Sequence, residues 1–268
     1  MIIDFHTHIF PDTLAGRAVK RLASDGIPNQ ADGTFSGLTS GMNDVGIDYS
    51  VVLPVVTRPE HHESVNQFAM HINSRKQGVI SFGGIHPENT DYKKIIDQLC
   101  HSGMRGIKLH PVFQKTFIDS MSYLRIIDYA ISRGLLVTIH SGYDISSPTD
   151  EYASVKRLKH VITTINSDNI ILAHMGGFDE WENVAEMIIG ENVYLDTAFC
   201  INLPCIPSLS CEQFAKLAKA HGTDKILFGS DSPWGDQSEA VSVIKSVPLS
   251  PSEINAILGD NARRLLKM

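Results

Sequence analysis

Eight short apolar runs, each followed by a stretch of helical spacing, constrain this chain more than any other feature. The runs cover residues 2–5, 49–55, 79–85, 105–109, 135–139, 169–173, 192–195 and 225–228. Helical segments are expected at 60–77, 91–101, 121–132, 151–165, 179–189, 211–220, 238–246 and 252–266, with helix and loop between residue 5 and Asp44. In 121–132, Leu124, Ile127 and Ile131 share one face, as Ile95, Ile96 and Leu99 do in 91–101. Short apolar runs without polar alternation suit strands buried on both faces, the setting of a parallel sheet. Eight such units predict a single (β/α)8 TIM barrel without an added β-sandwich, one domain over residues 1–268. A doubly wound open sheet would place a glycine-rich phosphate loop after the first strand. Here that strand runs into His6-Thr7-His8 instead.

Composition narrows the partners. A formal charge of −7 gives no electrostatic reason to expect nucleic acid or an anionic membrane. No apolar run approaches a membrane span and no basic-then-apolar leader opens the chain, so a cytoplasmic protein is expected. The four cysteines form no CxxC, which fits reduced thiols; Cys200, Cys205 and Cys211 form a weak alternative metal set. Homo-oligomers are common among soluble enzymes, and the sequence marks no interface.

The polar residues gather where a barrel does its chemistry, at the C-terminal ends of the strands. His6 and His8 are two apart, so on an extended backbone both rings face the same side. His140 ends the fifth run, His174 follows the sixth and Asp231 follows the eighth. One histidine in a core is ordinary, but four with an aspartate at matching ends predict a metal site. Lys108 and His110 end the fourth run, His86 follows the third and Arg58 the second. These last three are candidates for the substrate-binding rim, Arg58 as a fork for a carboxylate. An exposed loop arginine is the plainer alternative. Trp234 and Tyr143, in loops after the eighth and fifth runs, are candidate pocket walls.

The motifs Asp4-Phe-His-Thr-His8, Gly106-Ile-Lys-Leu-His-Pro111, Ile139-His-Ser-Gly142, Leu172-Ala-His-Met-Gly-Gly177, Leu227-Phe-Gly-Ser-Asp-Ser-Pro233 and Gly259-Asp-Asn-Ala262 follow in order along the whole chain. As a set they resemble the metal-dependent amidohydrolase superfamily, in the amidohydrolase-related branch that includes decarboxylases and lactonases. The resemblance implies that His6, His8 and Asp231 hold one divalent metal. His140 then either completes that site or joins His174 in holding a second ion. In two-metal members a lysine at the position of Lys108 is carboxylated and bridges the ions; otherwise Lys108 stays an ammonium that binds an anionic substrate or pairs with a carboxylate. Zn²⁺ is the expected ion, with Mn²⁺, Co²⁺ and Fe²⁺ suited to the same donors. Asp231, with His174, is expected to move the proton. The first expectation for activity is hydrolysis of a C–N or C–O bond in a small molecule such as an amide, cyclic amide, lactone or ester. The alternative is non-oxidative decarboxylation of a small unsaturated or aromatic acid. An inactive barrel used for binding is a remote third.

Overall fold

The computed structural model describes residues 1–24, 29–204 and 206–268, so Cys205, and Gly26 of the early loop, lie outside the described residues. Among the described residues nine short strands, separated by helices except between the third and fourth, run in order: β1 (Ile3–Thr7), β2 (Tyr49–Val52), β3 (Val79–Ser81), β4 (Gly83–Gly84), β5 (Gly106–Leu109), β6 (Leu136–Ile139), β7 (Ile170–Leu172), β8 (Tyr194–Asp196) and β9 (Ile226–Leu227). Every residue of β1, β5, β6 and β7 is buried, as the unalternating apolar runs require. The α/β class and the (β/α)8 pattern follow the sequence, with one change. The third run is divided at Phe82 into β3 and β4.

Two asparagine side chains account for that division. Asn73 donates to the Ser81 carbonyl at 2.9 Å and accepts from the Ser81 amide at 2.7 Å. Asn66 does the same to Gly84, at 2.9 and 2.8 Å. Both belong to a helix over His62–Ser74. Their amides supply backbone partners that a continuous ladder would otherwise provide, and buried backbone groups need some partner.

The contacts divide the chain into two compact units, each discontinuous in sequence. The first comprises Met1–Val52, Lys76–Ile80 and Asp196–Met268. Within it β1 and β2 pair in parallel, Ile3 opposite Tyr49. The end of β9 meets β1 through Phe5 N–H to Phe228 O at 2.7 Å and Asp231 N–H to His6 O at 2.9 Å. The second unit comprises Leu53–Arg75 and Ser81–Leu195. There β4 pairs with β5, β5 with β6, β6 with β7 and β7 with β8, all in parallel. Helix starts carry their own signals. Ser210 and Gln213 form a capping box, as do Ser250 and Glu253 with Pro251 at the first helical position, each cap worth about 1 kcal/mol. Among the described residues no helix is long and apolar enough to cross a membrane.

Candidate active site

In the first unit the period-two backbone of β1 directs Asp4, His6 and His8 to one side. His6 Nε2 lies 3.1 Å from His8 Nε2, and Asp231 Oδ1 lies 3.5 and 3.2 Å from those two nitrogens. Ligands about 2.1 Å from an ion are roughly 3.0 Å apart in an octahedral set and 3.4 Å in a tetrahedral one. The triangle has the dimensions of a metal cradle. His6 Nδ1 sits 2.8 Å from Asp196 Oδ2, both side chains being almost wholly buried. A carboxylate accepts, so Nδ1 carries the proton and Nε2 turns its lone pair into the triangle. Two nitrogens at 3.1 Å with a carboxylate oxygen beside them need a proton or a cation among them, and the donor chemistry fits a divalent ion.

The loop bearing Asp231 is tied down by Asp4. The fully buried Asp4 carboxylate accepts from Ser230 N at 2.9 Å, Ser230 Oγ at 2.6 Å and Gln237 Nε2 at 2.8 Å. Burial pushes its pKa up to about 6, against the pull of those hydrogen bonds. The Trp234 ring lies 5.0 Å from that of His8, so this loop also walls the triangle.

The second unit holds a different group. His140 Nδ1 is 3.1 Å from His174 Nε2, and His140 Nε2 is 3.2 Å from the Tyr143 carbonyl. Asp144 Oδ2 lies 3.7 Å from Nε2 of both His110 and His140. These three could be taken for a metal set, since their ligand atoms lie within 4.8 Å of one another. Ring orientation argues otherwise. The His110 and His140 rings are stacked, 4.0 Å between centroids and 10° between planes. Imidazole lone pairs lie in the ring plane, so two stacked rings cannot both aim at one ion. This is a packed polar cluster.

Asp231 (φ 64°) and His174 (φ 56°) both adopt left-handed backbone, which costs a non-glycine residue about 1 kcal/mol or more and gathers at functional sites. Lys108 is buried in β5, opposite Gly84 and Thr138 in register. His86 is buried, its Nδ1 accepting from Glu88 N at 3.2 Å, and burial lowers its pKa. Arg58 is exposed beside a short 3-10 turn over Pro59–His61. Sequence reasoning missed Asp196 and Asp144 and gave Asp4 no role. The seventh run, drawn to residue 195, stopped one residue short of Asp196.

Residues 3–268 match the amidohydrolase family. The chain belongs to that family. It is a metal-dependent enzyme of the amidohydrolase superfamily with the TIM-barrel fold. A 2,6-dihydroxybenzoate decarboxylase from Rhizobium is 14% identical, with a TM-score of 0.71 over 99% of this chain and 98% of its own. A dihydroxybenzoic acid decarboxylase from Polaromonas, bound to manganese and the inhibitor 2-nitroresorcinol, is 15% identical with a TM-score of 0.69, covering 99% of this chain and 96% of its own. A protein described as amidohydrolase II is 19% identical, with a TM-score of 0.71 and full coverage of both chains. At such identities these likenesses concern the fold. No curated protein sequence matches the chain.

Proposed function

We propose that this amidohydrolase-family enzyme removes CO₂, without oxidation, from a small planar acid, using one divalent ion held by His6, His8 and Asp231. The carrying observation is the contrast between the 3.1–3.5 Å triangle in the first unit and the stacked rings that argue against an ion among His110, His140 and Asp144 in the second. The family that the motifs resemble includes one-metal decarboxylases, so a single ion at the triangle suits the decarboxylase alternative, whereas a second ion at His140 and His174 is the arrangement that a carboxylated Lys108 would serve. The two dihydroxybenzoate decarboxylases, one with manganese and 2-nitroresorcinol, support the same reading. They make manganese the first ion to test beside zinc.

A bound divalent ion supplies positive charge that draws electron density from substrate oxygens. The chain's residues do the rest. The C–C bond to the carboxylate breaks, its electron pair stays on the substrate carbon, and that carbon takes one proton as CO₂ leaves. Asp231 is the proton carrier, donating to the carbon and recovering a proton from solvent. Asp196 holds His6 in its tautomer, and the Asp4 clamp on Ser230 holds Asp231 in its left-handed conformation.

Lys108 favours a second reading. A lysine buried within β5 can take up CO₂ as a carbamate, which would bring a second ion and the hydrolytic chemistry of the first expectation. One experiment separates them. Protein loaded with Mn²⁺ or Zn²⁺ is assayed for CO₂ release from hydroxybenzoates and unsaturated acids, and in parallel for turnover of lactones, esters and cyclic amides. Lys108 is examined by native mass spectrometry. CO₂ release with an unmodified lysine and one ion supports decarboxylation. Lactone or amide turnover with a carbamate overturns it in favour of hydrolysis.

A further inference from the structure

The sequence offered His110 as a rim residue for substrate, but its surroundings suit another task. The His110 ring stacks on Phe113, 4.0 Å between centroids and 1° between planes. It also stacks on His140 at 4.0 Å and 10°. Two rings cannot occupy one face of a third, so His110 lies between them. We infer that His110, backed by Phe113, is a positioning residue that fixes the ring plane of His140 and so the direction of its Nδ1 lone pair.

The chemistry at His140 explains why its plane matters. Nε2 lies 3.2 Å from the Tyr143 carbonyl. A carbonyl only accepts, so Nε2 carries the proton and Nδ1 is bare. That bare nitrogen faces His174 Nε2 at 3.1 Å. The Cβ–Cγ torsion of histidine is broad and roughly two-fold, so a ring without a flat neighbour can rotate and carry Nε2 off the Tyr143 carbonyl and Nδ1 away from His174. A face-to-face contact resists that rotation because turning the ring breaks the stack. The Tyr143 carbonyl selects the tautomer, and His110 selects the plane.

This inference holds whether the chain releases CO₂ or hydrolyses, and its test needs no substrate. Metal-free protein labelled with ¹⁵N-histidine is examined by long-range ¹H–¹⁵N spectra, with the His140 signals assigned by their loss in His140→Gln. The wild type is expected to show His140 with Nε2 protonated and Nδ1 unprotonated. His110→Phe, which keeps a flat ring and discards both nitrogens, retains that signature. His110→Leu and Phe113→Leu, which remove a ring face, draw the two nitrogen shifts together, because a ring that turns off the Tyr143 carbonyl no longer keeps its proton on Nε2 and both tautomers become populated. Thermal melts identify any variant that does not fold, and the other ring-removing variant then carries the test. A wild-type signature in the folded ring-removing variants overturns the inference. So does averaging in His110→Phe as complete as in His110→Leu, which would mean that the nitrogens of His110 act rather than its face.

Discussion

Two pairs of histidines in this protein have the same nitrogen–nitrogen separation and different surroundings. His6 and His8 meet at 3.1 Å, as do His140 and His174. Beside the first pair, Asp231 closes a triangle and Asp196 aims one ring from behind. Beside the second pair lie a backbone carbonyl, a stacked ring and the Asp144 carboxylate, which is 3.7 Å from His140 Nε2, the nitrogen that does not face His174. Separation alone does not make an ion site. What matters is whether lone pairs converge and whether a negative charge lies within reach to repay the desolvation of a cation.

The contrast breaks most easily at Asp231. Asp231→Asn preserves shape and removes the charge, so bound metal should fall by about 100-fold or more in affinity and turnover should be abolished. His174→Ala should keep one equivalent of metal. Elemental analysis after dialysis reads both. Loss of the ion in His174→Ala together with its retention in Asp231→Asn would reverse the assignment of the two clusters.

The next largest effect is expected at Asp4. Asp4→Ala leaves Ser230 N, Ser230 Oγ and Gln237 Nε2 without the acceptor they share. Buried donors left unpaired cost about 1–3 kcal/mol each, and relief of the buried charge offsets part of this, so a loss of about 3 kcal/mol is expected in urea unfolding. A loss under about 1 kcal/mol would mean that the clamp does not hold the loop. Asp196→Asn is milder for the fold but weakens what fixes Nδ1 of His6. Metal affinity should drop about 10–100-fold with little change in melting temperature. An unchanged affinity would remove Asp196 from the site.

These residues also mark how much could be read from the sequence. The strands were legible because each is a short apolar run, and His6 and His8 because period two puts them on one side of a strand. His140, His174 and Asp231 stood out by their places at run ends, but those places did not say which of them share an ion. The partners that aim them were not. Asp196 bonds a histidine 190 residues away, and no local pattern announces such a pairing. Asp144 sits in a polar loop, where an aspartate ordinarily signals a turn. Asp4 was plainly part of a motif, but its role comes from Ser230 and Gln237, which only the folded chain brings to it. The division of the third run was hidden for the same reason: Asn66 and Asn73 look like ordinary polar helix residues until their amides meet the backbone.

The smallest expected effect tests what anchors the second cluster. Glu180 precedes the helix over Trp181–Met187 and accepts from Val155 N at 3.1 Å and Asn183 Nδ2 at 3.2 Å. The neighbouring Trp181 Nε1 donates to the His174 carbonyl at 3.1 Å, so this corner supports the backbone that presents His174. Burial raises the Glu180 pKa, with Glu151 and Asp179 adding to the rise and the two hydrogen bonds opposing it. The folded protein therefore holds this proton more tightly than the unfolded chain does. The stabilisation is fully present below the ordinary glutamate value and is lost as pH rises through the raised one. Glu180→Gln removes this dependence and keeps an acceptor for Val155. Urea midpoints of the two proteins should accordingly differ more, in favour of the variant, at about pH 8 than at about pH 5. A difference that stays constant across that range would mean that Glu180 is solvated in the native protein, leaving the Trp181–His174 bond to hold this corner.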